Sequence, residues 1–158
     1  MTKVVLWLVL LTLAPGLELR ASIPYGLLEN GLPASVTIAI CLVVNIALAP
    51  LVWVFMDKCV HLFLHVAWIE KLYNAVVTRA RDRLHSYVER YGTLGLAMFI
   101  GVPLPGSGVY SGGLGAYLLG FTFHQYLVAS VLGVLIAGTV VSAVVLSGAG
   151  AFNFFLKA

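Results

Sequence analysis

The sequence predicts an all-α integral membrane protein: an inverted repeat of two re-entrant helical hairpins, each followed by a transmembrane helix, with a central amphipathic cytoplasmic helix. Three observations point there. Of 158 residues, 61% are hydrophobic and only 9% charged, against roughly 25% charged in a soluble domain. Two short apolar stretches are broken by polar, Pro- and Gly-bearing motifs, Ala14-Pro15-Gly16-Leu17-Glu18-Leu19-Arg20-Ala21-Ser22-Ile23-Pro24 and Gly101-Val102-Pro103-Leu104-Pro105-Gly106-Ser107-Gly108. Each break is followed, after a similar interval, by a long apolar run. Interrupted helices in corresponding places of two halves expose backbone dipoles near mid-membrane, where a substrate or ion can be held, so the pattern points to transport.

The elements follow in order. Val4 to Ala14 is an apolar run of eleven residues, about 16 Å as a helix, too short for a hydrocarbon core of about 30 Å. With Lys3 ahead of it the run also fits a secretory signal, but no clear A-x-A site follows. Pro15-Gly16 breaks it, and a second short stretch runs from Ile23 to Leu28. Residues 4–31 therefore read as a re-entrant hairpin, whose irregular tip must be buried in protein or line a wet cavity. Ala34 to Met56 has no ionised side chain and is long enough to span, with Asn45 at mid-depth and a kink expected at Pro50. Residues 1–56 form the first repeat of a single transmembrane domain covering 1–158.

Residues 57–91 hold six of the nine Lys and Arg. Apolar residues at Ile69, Leu72, Val76, Ala80, Leu84, Tyr87 and Tyr91 have the spacing of an amphipathic helix, which the positive-inside rule places in the cytoplasm of a cell-membrane protein. The second repeat, 92–158, follows the first: a short run Leu94 to Val102, the Pro/Gly break, a short stretch Leu114 to Leu119, and a spanning run Leu127 to Leu146. One crossing helix per half inverts the second half relative to the first, so the two tips meet near mid-membrane. A net charge of +3 comes mostly from the central segment, so orientation in a membrane, and not nucleic acid, explains it.

Glu18 and Arg20 are the ionisable residues embedded in the first hairpin, and a charge at the bilayer centre costs roughly 2.5 to 3.5 kcal/mol even on lenient insertion scales. On an ideal helix they point apart, but unwinding at Pro15-Gly16 would let them pair; otherwise Arg20 holds an anionic group and Glu18 carries a proton or other cation. Both residues would be cheap at a headgroup interface, which is the alternative placement. In the second break the prolines remove donors and the glycines free the backbone. A helix starting near Ser107 would aim its positive end at an anion. Gly108, Gly112 and Ala116 also have the small-xxx-small spacing of close helix packing, as do Ala129, Gly133 and Ala137. Asn45 needs a polar partner, within an ion site or across helices. Asp57, His61 and His65 share a helical face at metal-ligand spacing without an evident fourth ligand. A Ser107 or Ser111 dyad with His124 lacks the G-x-S-x-G elbow of a hydrolase. No metal, cofactor or enzymatic activity is therefore expected, and single cysteines at 41 and 59 imply no disulfide framework.

At these motifs the chain resembles the small multidrug export protein family, related to the wider DedA-like superfamily. Glu18-Leu19-Arg20-Ala21-Ser22-Ile23-Pro24 looks like the family's ELRGAIP-type string. Asn45 stands where the family tends to have Gly-Asn, and Pro103-Leu104-Pro105-Gly106-Ser107-Gly108, continuing through Ser111 to Gly112, is similar to its PLPGTGxxTG string. Val44 replaces the family's glycine, and Ser107 and Ser111 stand in place of threonine, keeping the hydroxyls. The resemblance implies two facing re-entrant hairpins and movement of drugs or, as in DedA-like relatives, carrier lipids such as polyprenyl phosphates. The expected site comprises Glu18, Arg20, Ser22, Pro24, Asn45, Pro103, Pro105, Gly106, Ser107, Gly108 and Ser111. The expected activity is proton-coupled export or flipping of a lipophilic or anionic-lipid substrate, with an uncoupled flippase or scramblase, or a non-transporting scaffold, as alternatives. With two crossings per chain there is little protein to bury the tips, so a homodimer is expected.

Overall fold

The computed structural model describes residues 2–28, 32–63, 92–103 and 107–157. Six helices and no strand are present among them: α1 (Thr2–Leu13), α2 (Glu18–Leu28), α3 (Ala34–Phe63), α4 (Gly92–Gly101), α5 (Val109–Leu119) and α6 (Phe123–Lys157). The amphipathic helix expected within 57–91 lies, beyond Phe63, outside the described residues.

Two helices contain stretches apolar and long enough to cross a membrane, Ala34–Lys58 in α3 and Phe123–Gly148 in α6. Only 28% and 39% of their most apolar windows are buried. A core helix of a soluble protein buries most of its surface, whereas these leave Val43, Leu51, Phe55 and Val144 at least 60% exposed. Such outward apolar faces fit lipid as the solvent. The other four helices are short: α1 has 12 residues, and α2 and α5 have 11 each. At 1.5 Å per residue none is longer than about 18 Å, short of a bilayer core of about 30 Å.

The first break is a tight turn. Pro15 carries no N–H, Gly16 takes φ +83° and Glu18 φ +43°, so the chain reverses between Ala14 and Glu18. The Ala14 N–H still reaches Leu10 O, and the Arg20 and Ala21 N–H groups turn back to Leu17 O. The helix thus resumes at Glu18, five residues before the Ile23 expected from hydropathy, and accommodates Pro24 inside α2. The second break ends at Gly108, with φ +126°, and α5 starts at Val109 with no side-chain cap at its N-cap position, since glycine has none to offer. At its other end Gly120, φ +78°, closes α5 with N–H groups of Gly120 and Phe121 on Tyr117 O and Ala116 O, a Schellman arrangement. Thr122 and Gln125 then cap α6 reciprocally: Gln125 Oε1 accepts from the Thr122 N–H, and Thr122 Oγ1 from the Gln125 N–H.

Packing centres on α3 and α6. The pair α1 and α2 packs on itself and on α3, α2 also touches α6, and α5 lies against both long helices. Close approach requires small residues on the buried faces. A Cβ at Gly133 would sit 2.6 Å from Ile100, one at Gly112 2.5 Å from the same side chain, and one at Gly101 3.0 Å from Ile136. So Ile100 of α4 is seated between α5 and α6. Ala129 and Ala137 are buried with Gly133, which places the expected small-residue face of the second crossing helix inside the chain. Buried Tyr126 stacks on Trp53 at 5.4 Å and donates to Val109 O at 2.9 Å, tying α6 to the start of α5.

Candidate site where the two helix breaks meet

The two breaks face each other, although 80 and more residues separate them in sequence. Glu18 opens α2 with a left-handed backbone, which takes its side chain out of the helical register and across to α5. There its carboxylate accepts from the Val109 N–H at 3.1 Å and, at 3.5 Å, from the Tyr110 N–H. These are first-turn donors of α5, which have no partner inside the helix. Glu18 therefore caps α5 from another segment, and its charge lies at the positive end of that helix. Glycine at 108 is a steric requirement: a Cβ there would lie 2.6 Å and 2.7 Å from the two carboxylate oxygens.

Arg20, two residues on, holds the same helix end from the other side. One guanidinium nitrogen, Nη2, donates to both Ser107 O and Ser107 Oγ at 2.7 Å. The Ser107 hydroxyl in turn donates to Val102 O, bridging the end of α4 to the start of α5 across the second break. Tyr110 Oη donates to Leu13 O at 2.5 Å, reaching the end of α1. The start of α5 is thus fastened to both sides of the first break. Glu18 and Arg20 do not spend their charges on each other. The anion at the helix N-terminus is the protein's own Glu18.

Glu18 is 7% exposed and Asn45 only 1%. Together with Arg20 they line a cavity of about 10 Å³ walled by Ile100, Val134 and Ala137. Two polar atoms of its lining residues have no hydrogen-bond partner, Arg20 Nη1 and Asn45 Oδ1. One is a donor and the other an acceptor.

Of the expected site residues, Glu18, Arg20, Asn45, Ser107 and Gly108 converge. Ser111, one turn into α5, bonds Gly108 O at 3.4 Å and supports the same helix start. Ser22 is fully buried one turn after Glu18, donating to Glu18 O at 3.0 Å, and meets Cys41 and Thr12 on the α1–α3 side. Pro24 is half-buried farther along α2, and Pro103 is half-buried at the second break. Pro105 and Gly106 lie outside the described residues. His124 is exposed at the start of α6, past the far end of α5, roughly 16 Å of helix from Ser107, so no serine–histidine dyad forms. The described part of the Asp57 face ends with Asp57 itself, which accepts from Tyr117 Oη at 3.2 Å; among the described residues no cluster of metal-ligating side chains exists. Tyr110 and Tyr126, which fix α5, carry no sequence signal beyond being aromatic residues with a polar tip.

An all-helical fold with two apolar spanning helices and two facing, capped breaks defines a small polytopic membrane protein. A family model described as "Putative small multi-drug export protein" matches residues 18–140, and the chain belongs to that family. The match opens at Glu18 and includes every residue of the converged site. No curated protein and no solved structure matches the chain.

Proposed function

We propose that the chain is a secondary transporter that exports or flips a lipophilic or anionic-lipid substrate across the cell membrane in exchange for protons, with Glu18 as the proton carrier. The reading takes the two helix pairs as re-entrant hairpins of an inverted repeat, related to the DedA-like superfamily, with the segment after α3 in the cytoplasm. The observation that carries it is the fastening of the α5 N-terminus by Glu18 and Arg20 at the meeting of the two breaks. Any path between the breaks is shut while these bonds hold.

Protonation of Glu18 would convert charge-assisted acceptor bonds into neutral ones, about half as strong. A loss of about 1 kcal/mol, half of a cap contributing about 2 kcal/mol, shifts a closed–open equilibrium roughly 5-fold toward release of α5. The freed N–H groups and Arg20 then present two positive features to a carboxylate or phosphate headgroup, as in a polyprenyl phosphate. Deprotonation restores the cap and expels the anion. Proton and cargo thus alternate at one site, which is the requirement for coupling. A homodimer would supply the protein surface that buries the outer faces of the short helices.

Proteoliposome flux under an imposed pH gradient tests this, with a polyprenyl phosphate and a lipophilic cation as parallel cargoes. Gradient-driven movement in the wild type, lost in Glu18→Gln while pH-independent leak persists, is the expected result. Movement indifferent to gradient and substitution would replace coupling by scrambling, and no movement after verified reconstitution would leave a scaffold.

A further inference from the structure

We infer that the cavity between Glu18, Arg20 and Asn45 is a binding site for one water molecule, and that this water exchanges protons with Glu18. Three features carry the inference. The space, about 10 Å³, is at the lower limit for a single water and too small for an organic cargo. Asn45 Oδ1 is an acceptor in a side chain 99% removed from solvent, and it has no partner. Leaving such an atom unsatisfied in an apolar span is costly, and buried waters are found where this cost arises. Arg20 Nη1 is an unpartnered donor from the same lining.

The chemistry selects water over an ion. The Arg20 guanidinium repels a metal cation at this distance scale, and the Glu18 carboxylate repels an anion. A neutral molecule that accepts one hydrogen bond and donates two matches the lining: it accepts from Arg20 Nη1 and donates to Asn45 Oδ1 and to a Glu18 oxygen. The remaining lining residues, Leu19, Ile100, Gly108, Val134 and Ala137, carry no polar side chain that would compete for the water. A proton that arrives as hydronium forms the O–H bond on the Glu18 carboxylate, breaks one O–H bond of the hydronium, and leaves the water in place. Asn45 is here a positioning residue, since it holds the water and not the proton. The proton role rests on the transport reading above, whereas occupancy by water does not.

The experiment is radiolytic hydroxyl-radical labelling of the full chain in lipid, in ¹⁸O-enriched water, read residue by residue by mass spectrometry. Ile100 and Val134 are 2% and 1% exposed, so bulk solvent cannot label them and a resident water can. Labelling of both is expected in the wild type, reduced severalfold by Asn45→Leu and also by Ala137→Val, which fills the cavity without touching a polar group. Ser142→Ala, at a buried serine outside the cavity lining, should leave it unchanged. Absence of label at both residues in the wild type would overturn the site. A melting temperature that rises with sodium and falls on replacement by choline would overturn it in favour of a cation. If the label is present but proton-driven flux is not, the water stands and the transport reading fails.

Discussion

The lock between the two breaks makes a quantitative prediction for Gly108→Ala. The glycine combines φ +126° with ψ −170°, a region essentially closed to residues with a Cβ, where occupancy costs of order 1–3 kcal/mol. The new methyl would also stand 2.6 Å from Glu18 Oε2 and 2.9 Å from Cδ. Neither is a comfortable contact, so the carboxylate must withdraw from the Val109 and Tyr110 N–H groups. A hydrogen bond to a charged group contributes about 1.5–3 kcal/mol; counting one good bond and discounting the long one, the cap loses about 2 kcal/mol. The total expected for Gly108→Ala is therefore about 3–5 kcal/mol.

A double-mutant cycle with Glu18→Ala separates the two parts. Without the carboxylate, Gly108→Ala should cost only the backbone strain, leaving an interaction term of about 2 kcal/mol. The assay is reversible unfolding in detergent or mixed micelles, with helicity as the readout, on wild type, both single variants and the double variant. If the two substitutions add to within about 0.5 kcal/mol, Glu18 does not depend on the space at Gly108, and the capping geometry is wrong.

Three further substitutions probe the packing around α5. Gly133→Ala places a methyl 2.6 Å from Ile100 and 2.8 Å from Ala97 O, a backbone atom that cannot give way, and should destabilise by about 1–3 kcal/mol. Gly115→Ala meets nothing within 4 Å, and on helix propensity alone should be neutral or stabilise by up to about 1 kcal/mol; both read in the same unfolding assay. Tyr126→Phe removes the buried donor to Val109 O at 2.9 Å and should cost about 1 kcal/mol, with faster amide exchange at Val109 and Tyr110 as the local signature.

How much of this was legible in the sequence depends on how local each cause is. The two spanning helices were, because a run such as Ala34 to Met56 states its own environment through composition. The positions of the breaks were too, since Pro15, Gly16 and Gly108 act through their own φ. The start of α2 at Glu18 was not: hydropathy placed the short stretch at Ile23, whereas the five residues ahead of it are helical, with the polar side chains of Glu18, Arg20 and Ser22 spent on the start of α5 and on a buried seam, not on solvent. The Thr122-Phe123-His124-Gln125 capping box is a local signal for the start of α6, four residues before the apolar run from Leu127.

The site divides along the same line. Charge set within a short apolar stretch marks Glu18 and Arg20 from the sequence alone, and the Pro/Gly second break marks Ser107 and Gly108 as the start of a helix that suits an anion. Nothing in either string says that the anion is Glu18. Unwinding at Pro15-Gly16 leaves a competing pair open on the sequence alone, Glu18 with Arg20 two residues on. The fold decides against it through geometry: α5 has no side-chain cap of its own, its first N–H belongs to fully buried Val109, and the carboxylate that reaches it is on the opposite break. An unsatisfied helix end and an unsatisfied acid solve each other's desolvation, and each remains expensive alone. The consequence is a built-in dependence of one half on the other. Neutralising Glu18 exposes α5's donors, and displacing α5 strands a buried carboxylate. Each break thus supplies what the other lacks, a carboxylate for an uncapped helix and donors for a buried acid.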